Sequence, residues 1–418
     1  MSKPRVLIIG AGAAGLMAGI TAARNGANVT ILEHMDRPGR KILATGNGRC
    51  NLTNLDQNRH NYHGSDESFP IKILGQFNVT DTIRFFSQLG IYTKNRGGYI
   101  YPNSAQASSV LEVLLLEASH LNIKIKCSEH VEHIEKQDDR FQVRTKTWKY
   151  ESETLILAAG SKAAPVFGSD GSGYQLAAGL GHSIVEPLQA LVQLRAKGNY
   201  FNHIAGVKAD ARIRLLIDDE PIHNEDDGFS STEDGELLFT NYGISGIPVL
   251  QISGRAVRAI HYNKRAAVVI DYFPDFTDDQ LQRYIRSRIQ NTPYKSSRHL
   301  LLGMINKKLS DVFLKQVSIS PAKSCSTLTD KELAALVKLL KNHQLSIIGG
   351  NAFDQAQVCS GGIHTSEINP LTLESAKVKS LYFAGEIIDI DGACGGYNLQ
   401  WAWSSGYVAG INAQKGIQ

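Results

Sequence analysis

The hydrophobic pattern of the chain is clearest near its start, where an almost wholly apolar run over residues 6–9 is followed by closely spaced glycines. An apolar run without alternation predicts a strand that is buried on both faces. Gly10, Gly12 and Gly15 have the spacing G-x-G-x-x-G, and the Ala-rich segment after them predicts a helix. A second strand is predicted over residues 28–33, so the chain opens with a strand–helix–strand unit.

Glycines at this spacing are typical of a dinucleotide-binding unit. Gly10 makes the tight turn, Gly12 lets a pyrophosphate approach the backbone, and Gly15 allows the helix to pack closely on the strand. The phosphates then lie at the helix N-terminus, and Glu33, at the end of the second strand, can accept hydrogen bonds from an adenosine ribose. The alternative, a plain glycine-rich turn, does not explain this order of elements. The candidate phosphate-binding residues are Gly10, Ala11, Gly12, Ala13, Ala14 and Gly15.

The segment over residues 37–54 has no hydrophobic periodicity and is rich in Gly, Asn and cationic residues. It predicts a loop that binds the same ligand, with backbone N–H groups near a planar ring and cations near phosphate or a ring carbonyl. A polar surface loop is the alternative. Glu33 and His34, just before this segment, are candidate residues too. Those within it are Arg40, Lys41, Thr45, Gly46, Asn47, Gly48, Arg49, Cys50 and Asn51.

The segments that follow alternate between helical and strand-like patterns. Helices are predicted over residues 80–90 and 104–120, and short alternating strands between residues 123 and 157. A buried strand over residues 154–160 ends in small residues, which permit close approach of the ligand. These candidate residues are Ala158, Ala159 and Gly160.

The pattern changes over residues 191–272, where alternation predicts an inserted β-rich region. Capping boxes at Thr277 and Thr329 then predict two amphipathic helices. Residues 276–343 carry twelve Lys and Arg against five Asp and Glu. Solvated helix faces explain such a surplus better than nucleic-acid binding, which stays an alternative.

The last segment, residues 381–406, predicts a strand, a loop and a helix that opens at Gly395 and Gly396. A helix N-terminus aimed at the N1–C2=O side of a flavin would stabilise the negative charge that appears there on reduction. A buried C-terminal helix with a glycine cap is the alternative, but it does not explain the glycine clusters beside acidic residues. The candidate residues are Gly385, Glu386, Asp391, Gly392, Gly396, Tyr397, Asn398 and Leu399.

The composition restricts the number of domains, the partners and the compartment, but it indicates no reaction. A chain of 418 residues predicts two or three domains, and a net charge of +4 implies no obligate polyanionic partner. Five cysteines without a C-x-x-C pair fit a reducing cytosol and argue against a disulfide scaffold or a structural zinc site. We expect no metal site, no signal peptide and no membrane span, and therefore a cytoplasmic protein.

Together these motifs resemble the flavoproteins with two dinucleotide-binding domains, and more narrowly the bacterial family of aminoacetone oxidases and BaiN-like reductases. The resemblance implies non-covalent FAD and an α/β, Rossmann-type, glutathione-reductase-like FAD-binding domain that is discontinuous. It implies that Glu33 holds the ribose, that residues 45–51 line the flavin, and that Val131 meets the adenine through its main chain. Residues 385–386 and 396–399 would hold the ribityl chain and the pyrimidine. The domain ranges are 1–190 with 346–418 for FAD, 191–275 for an inserted β-rich substrate domain, and 276–345 for a small helical domain.

One motif departs from the family pattern. The inserted loop in that family usually contains Phe-Thr-His before a glycine and then Ser-Gly-Pro. Here Asn241 stands in place of the His, and Ile247 separates Ser-Gly from Pro248. A His could shuttle protons and an Asn does not, so a substrate is not carried over from the family.

The predicted function is an FAD-dependent oxidoreductase that transfers a hydride between flavin and a small organic substrate, as an amine oxidase or a C=C reductase. The alternatives are an RNA-modifying flavoprotein that uses the basic segment and a non-catalytic redox sensor. No catalytic acid–base pair emerges. Arg49 could lower the pKa of Cys50, although a packing role for this thiol is favoured. The chain shows no second strand–glycine–helix unit, so NAD(P)H is expected only as a weak, transient donor, and nucleic acid is not expected as a partner.

Overall fold

The chain forms two compact units in the computed structural model, which describes residues 4–222 and 231–415. The first unit combines residues up to 188 with residues from 356 onward, and the second comprises the described residues of Gln189–Gln355. The predicted FAD-binding domain includes residues 346–355, whereas in the structure they belong to the second unit, because a strand over His343–Gly350 pairs with strands of that unit. The separation of a helical domain from the β-rich one stays a prediction.

The strands of the first segment are β1 (Arg5–Ile9), β2 (Asn28–Leu32), β3 (Thr53–Asn54), β4 (Tyr62–Gly64), β5 (Thr93–Arg96), β6 (Tyr99–Pro102), β7 (Lys124–Lys126), β8 (Val131–Gln137), β9 (Arg140–Thr145), β10 (Lys149–Ser152), β11 (Thr154–Leu157) and β12 (Ile184–Ala190). The second unit contains β13 (Leu194–Ala196), β14 (Lys208–Ile217), β15 (Glu220–Pro221), β16 (Thr232–Phe239), β17 (Gly243–Ser245), β18 (Ala266–Asp271) and β19 (His343–Gly350). The last segment adds β20 (Val358–Ile363), β21 (Leu381–Phe383) and β22 (Ile390–Gly392).

The α-helices are α1 (Ala13–Arg24), α2 (Arg40–Ala44), α3 (Ser68–Leu74), α4 (Val79–Gln88), α5 (Ala107–His120), α6 (Ser172–Gly179), α7 (Phe201–Ile204), α8 (Ile247–His261), α9 (Asp278–Asn291), α10 (Ser297–Leu300), α11 (Lys307–Gln316), α12 (Asp330–Lys341) and α13 (Tyr397–Ala413).

The centre of the first unit is a parallel sheet in the order β21–β11–β1–β2–β7. Because β1 and β2 are parallel neighbours, α1 makes the crossover between them, as a Rossmann unit requires. Strands β1 and β11 are buried almost throughout, which explains why both appear in the sequence as unbroken apolar runs. The predicted Rossmann-type α/β fold is confirmed.

Helix α13 packs along α1 at very short range. A Cβ on Gly406 would lie 2.5 Å from the Ala14 carbonyl oxygen, and a Cβ on Gly410 would lie 2.4 Å from that of Ala18. Only glycine permits this approach, so the last helix is held directly against the helix that follows the glycine motif. The first and last elements of the unit therefore share one core.

The second unit is built on a closed antiparallel ring. Its strands follow the order β14–β16–β17–β13–β19–β18, and β18 pairs back with β14. The prediction of a β-rich region is confirmed, but it omitted α8, which packs against every strand of the ring. Pro248 at the start of α8 is compatible with a helix, since its missing N–H falls in the first turn.

The predicted capping boxes are both present. Thr277 caps α9 together with Gln280, and Thr329 caps α12 together with Glu332. Within residues 4–222 and 231–415, no helix has the length and hydropathy that a membrane crossing requires. The expected cytoplasmic location stays a prediction.

Candidate functional site

Two positions in the turn between β1 and α1 admit only glycine, because any side chain there would collide with backbone atoms. Gly10 has φ of +99°, and a Cβ there would lie 2.4 Å from the Ala158 carbonyl oxygen. A Cβ on Gly15 would lie 1.9 Å from the carbonyl oxygen of Gly10. These two glycines therefore bring β1, β11 and α1 together, as their predicted roles require.

Gly12 has a different environment from its neighbours. It is the N-cap of α1, with extended backbone at φ −79° and ψ −168°, and no described side chain caps the helix. A Cβ placed on Gly12 meets no atom of the described residues within 4 Å. The first turn of α1 also contains no acidic residue. The N-terminus of α1 therefore has open space at Gly12 and a favourable dipole, which suits a phosphate.

The carboxylate of Glu33 lies directly beside this turn. The N–H of Ala11 donates to Glu33 Oε2 at 2.9 Å, and the N–H of Met35 donates to Oε1 at 2.9 Å. Each oxygen keeps further acceptor capacity, since an ionised carboxylate offers about four lone-pair sites. The two bonds hold the carboxylate beside the glycine turn, and the role of Glu33 as a ribose acceptor stays a prediction.

The region beside Glu33 contains the predicted residues His34 and Val131 together with His130 and Asp170, which were not predicted. Val131 begins β8 and lines a cavity of about 390 Å³ between β8 and α6. His34 and His130 have ring centroids 5.6 Å apart, and Asp170 Oδ2 lies 4.0 Å from His34 Nδ1. The volume of this cavity lies within the range of small-molecule sites, and the adenine contact of Val131 stays a prediction.

The loop after Glu33 is tied to the glycine turn. The N–H of Gly39 donates to the Ala11 carbonyl at 2.9 Å, and α2 begins immediately afterwards. Gly46, Asn47 and Gly48 all have left-handed backbone, with φ of 56°, 54° and 80°. Glycine adopts left-handed backbone readily and asparagine tolerates it, which explains why these two residue types occupy the loop.

The cationic candidates have different partners. Lys41 Nζ lies 2.7 Å from Glu386 Oε2, which also accepts a hydrogen bond from Ser161 Oγ at 2.9 Å. This cluster joins three of the predicted cofactor-binding segments. Arg40, in contrast, donates to the Val166 carbonyl at 3.1 Å, and Arg49 Nε donates to the carbonyl of Gly46 at 3.2 Å. Lys41 therefore contacts a candidate residue of the last segment directly, and the phosphate roles of Arg40 and Arg49 stay predictions.

Cys50 is fully buried, with left-handed backbone at φ 58°. Burial raises the pKa of its thiol to about 12, against a smaller lowering by a hydrogen bond with Thr45. The suggestion that Arg49 lowers this pKa is therefore wrong, because desolvation outweighs a neighbouring exposed cation. The packing role is the one that the structure favours.

We expect Cys50 to resist alkylation by iodoacetamide in the folded chain at both pH 7 and pH 9. Both values lie well below its pKa, so thiolate is scarce and access is blocked. Mass spectrometry of labelled peptides would measure this, with the half-buried Cys127 as an internal comparison. Rapid labelling of Cys50 at pH 7 would contradict the assignment.

Helix α13 anchors two of the candidate loops through side chains that sequence analysis did not single out. The indole N–H of Trp401 donates to the Gly385 carbonyl at 3.1 Å, and that of Trp403 donates to the Leu52 carbonyl at 3.0 Å. Ser405 Oγ accepts the N–H of Gly385 at 2.9 Å. Both indoles are fully buried, so these bonds form in a low-dielectric core.

The loop before α13 is shaped by Asn398. Its amide accepts the Gly392 N–H at 2.8 Å and donates to the Gly392 carbonyl at 2.7 Å. The side chain thus positions the loop, and only its main chain stays a candidate ligand contact. A Cβ on Gly396, the N-cap of α13, would lie 3.0 Å from Asn51 Oδ1, a buried oxygen without a hydrogen-bond partner among the described residues. Asp391 lies nearby in β22 and is buried.

These features together fit a dinucleotide that carries a flavin. The open helix N-terminus at Gly12, the acceptor at Glu33 and the cavity beside Val131 form one end. The loops held by Lys41 and by α13, with the orphaned Asn51 oxygen, form the other. If FAD binds there, it supplies the redox chemistry, and these residues supply position and charge.

We expect the purified chain to be yellow and to release FAD, rather than FMN, on heating or acid treatment. The contacts at Glu33 and Val131 belong to the adenosine half, which FMN lacks, and no covalent link is required to hold the cofactor. Chromatography of the supernatant measures the released flavin. Colour that stays with the precipitate, or release of FMN, would contradict this prediction.

Known proteins resemble this chain over nearly its whole length. The family model described as the HI0933-like protein Rossmann domain matches residues 4–412. A 3-dehydro-bile acid delta(4,6)-reductase from Clostridium scindens is 41% identical over 413 residues, covering 98% of this chain and 99% of the relative. A ribosomal RNA dihydrouridine synthase from Escherichia coli K12 is 30% identical over 410 residues, covering 98% and 97%. A 3-ketosteroid-delta4-(5alpha)-dehydrogenase from Rhodococcus jostii RHA1 aligns structurally with a TM-score of 0.44 at 14% identity, over 99% of this chain and 98% of that one.

Proposed function

Because the chain belongs to the HI0933-like Rossmann family, we propose that it is an FAD-dependent reductase acting on a C=C bond conjugated with a carbonyl group. The family identified from the sequence motifs is the one that matches residues 4–412. Of the two reaction types left open by the sequence, amine oxidation and C=C reduction, the relatives support the second.

The two relatives differ in substrate but share a reaction. The name 3-dehydro-bile acid delta(4,6)-reductase describes reduction of double bonds conjugated with a 3-oxo group. The name dihydrouridine synthase describes saturation of the ring double bond of uracil, which is conjugated with a carbonyl. Conjugation with a carbonyl makes such a C=C bond a hydride acceptor, and a proton completes the reduction, so one flavin chemistry serves both names. This shared chemistry is the observation that carries the proposal.

The residues of the first unit would hold the cofactor for this reaction. The N-terminus of α1 at Gly12 would take the pyrophosphate, and Glu33 the ribose. Lys41, Ser161 and Glu386 form a connected polar group that would face the ribityl region. The N-terminus of α13 at Gly396, which no side chain of the described residues caps, would stabilise the charge that reduction places on the pyrimidine ring.

The decisive experiment uses the full-length chain with its flavin photoreduced under anaerobic conditions. Addition of a 3-oxo-Δ4 steroid should restore the absorbance of oxidised flavin and give the saturated ketone by mass spectrometry. A saturated 3-oxo steroid is the matched control and should leave the flavin reduced. Bleaching of the oxidised flavin by a primary amine, with no reaction of the enone, would replace this proposal with amine oxidation.

We expect NAD(P)H to bind weakly, with a Kd nearer 1 mM than 1 μM, or about −4 rather than about −8 kcal/mol. A dedicated nucleotide domain needs parallel strands around a crossover helix, and every described strand pair in the ring of the second unit is antiparallel. Stopped-flow reduction of the flavin at increasing NADPH measures this. Tight, saturable binding simultaneous with substrate would contradict it.

Reduction of uracil in RNA is the second candidate function. The basic segment over residues 276–343 favours it, because Tyr284 and the strongly exposed Tyr294 lie among its cations, and exposed aromatic rings beside cations can stack on bases. RNA binding that persists at physiological salt, with reoxidation of the reduced flavin by the RNA, would select this candidate. Solvated helix faces remain the simpler explanation, so the expectation of no nucleic-acid partner stays a prediction.

A further inference from the structure

Three metal-ligating side chains converge beside the predicted adenosine position. His34 follows β2, His130 precedes β8, and Asp170 lies in the loop before α6. One ligand atom from each lies within 4.8 Å of the other two. We propose that these three residues bind a divalent transition-metal ion such as Zn²⁺, at a site that is separate from the redox chemistry of the flavin.

The carboxylate of Asp170 is already oriented for this role. The N–H and the hydroxyl of Ser172 donate to Asp170 Oδ1, at 2.9 and 2.6 Å. The other oxygen, Oδ2, faces His34 Nδ1 at 4.0 Å. Ligating carboxylates are commonly held by such hydrogen bonds to the oxygen that does not bind the metal.

The loop that carries Asp170 approaches His34 closely because of Gly168. This glycine has φ of +101°, and a Cβ there would lie 3.1 Å from His34 Nε2 and 2.8 Å from a side-chain carbon of Met35. A larger residue would push the loop away from the imidazole. The glycine therefore brings the carboxylate within reach of both histidines.

The geometry requires only a small contraction around an ion. Tetrahedral Zn²⁺ with bonds of about 2.0–2.1 Å places its ligand atoms about 3.3 Å apart. The three side chains are half-buried or exposed, so changes in side-chain torsion can supply the difference of up to about 1.5 Å without moving the sheet. Three protein ligands leave a fourth position open to water or to another ligand.

The ligand types select the class of metal. Two imidazoles and one carboxylate suit Zn²⁺, Co²⁺ or Ni²⁺, whereas Ca²⁺ and Mg²⁺ prefer sets made only of oxygen. The cysteine pattern led us to expect no metal site, and these three residues are far apart in the chain and form no spacing motif. Only the fold brings them together.

The position of the cluster suggests that metal and cofactor influence each other. His34 is adjacent to Glu33 and His130 is adjacent to Val131, which are the two residues that would hold the adenosine. This linkage rests on the proposed function, whereas metal binding itself does not. We expect the chain loaded with FAD to bind the metal more weakly than the chain without FAD.

The test uses the full-length chain, as purified and after removal of the flavin, with folding checked by circular dichroism. Each form is dialysed against Zn²⁺ for elemental analysis, and against Co²⁺ for visible absorption that reports imidazole coordination. We expect one equivalent of metal in the FAD-free chain. His34→Ala, His130→Ala and Asp170→Asn should each weaken metal binding at least about tenfold. Loss of a residue that only supports a ligand already weakens metal binding by about that factor, and these residues would be the ligands themselves. His133→Ala, an exposed histidine on β8, is the matched control and should leave the affinity unchanged.

Stoichiometric binding that all three variants lose and the control keeps would establish the site. Binding that is absent, or that survives all three substitutions, would overturn it. Metal binding that is the same with and without FAD would keep the metal site and would instead overturn the adenosine position given above. The two proposals therefore fail separately.

Discussion

Gly12→Val is expected to yield a folded chain that contains no flavin. The backbone at this position is extended, which a β-branched residue adopts readily, and a Cβ meets no described atom within 4 Å. The substitution should therefore cost the apoprotein only about 1 kcal/mol, through a poorer N-cap. The valine would occupy the space in which the pyrophosphate meets the helix N-terminus. We expect FAD affinity to fall at least about 1,000-fold, or about 4 kcal/mol.

Gly15→Ala is the matched control for that prediction. Its Cβ would lie 1.9 Å from a backbone oxygen, so the helix must move away from the strand. We expect a loss of about 3 kcal/mol in the free energy of unfolding, measured by denaturant titration of the apoprotein. Gly12→Val should thus lose its flavin with little loss of stability, whereas Gly15→Ala should lose stability. Normal recovery of holoprotein from Gly12→Val would mean that the phosphate site lies elsewhere.

The second large effect is expected from Glu33→Arg. This change removes the acceptor for a ribose and also the acceptor for the N–H groups of Ala11 and Met35. It places a cation where two backbone N–H donors converge. Lost hydrogen bonds and an unpaired, half-buried charge together should cost about 3 kcal/mol in FAD binding, or about 100-fold in Kd.

Glu33→Gln separates the two contributions. The amide keeps one acceptor oxygen and carries no charge, so we expect an intermediate loss of FAD affinity of about tenfold. Fluorescence titration of FAD into each variant gives the Kd values. Equal FAD occupancy in all three proteins would show that this carboxylate is not at the ribose.

The sequence predicted best where the signal is local. The order of strand, glycines, helix and strand is written in consecutive residues, and Gly10 and Gly15 are positions where backbone geometry permits little else. The capping boxes at Thr277 and Thr329 are equally local, since each involves residues three apart. Such features need no knowledge of the rest of the chain.

The sequence predicted least where distant residues meet. Trp403 reaches the carbonyl of Leu52 across 351 positions, and nothing in either segment indicates the partner of that indole. Helix α8 was omitted because the strands around it dominated the pattern, although its buried residues recur at helical spacing. The weaker alternative for Cys50, a lowered pKa, is wrong for a related reason, because burial depends on the whole fold while the adjacent Arg49 is visible in the sequence.

The packing of α1 against α13 has a consequence for the order in which the protein can form during translation. The ring of the second unit lies in one continuous stretch, so all of its strands have left the ribosome while α13 is still unmade. Gly406, which packs against α1, and Trp403, which bonds the Leu52 carbonyl, are synthesised after every strand of the ring. The nascent chain must therefore hold β1 and α1 without this partner until α13 is made, at a time when exposed apolar surface favours aggregation. Flavin capture would then follow the synthesis of α13, so the yellow colour reports that this helix has been made and has packed against α1.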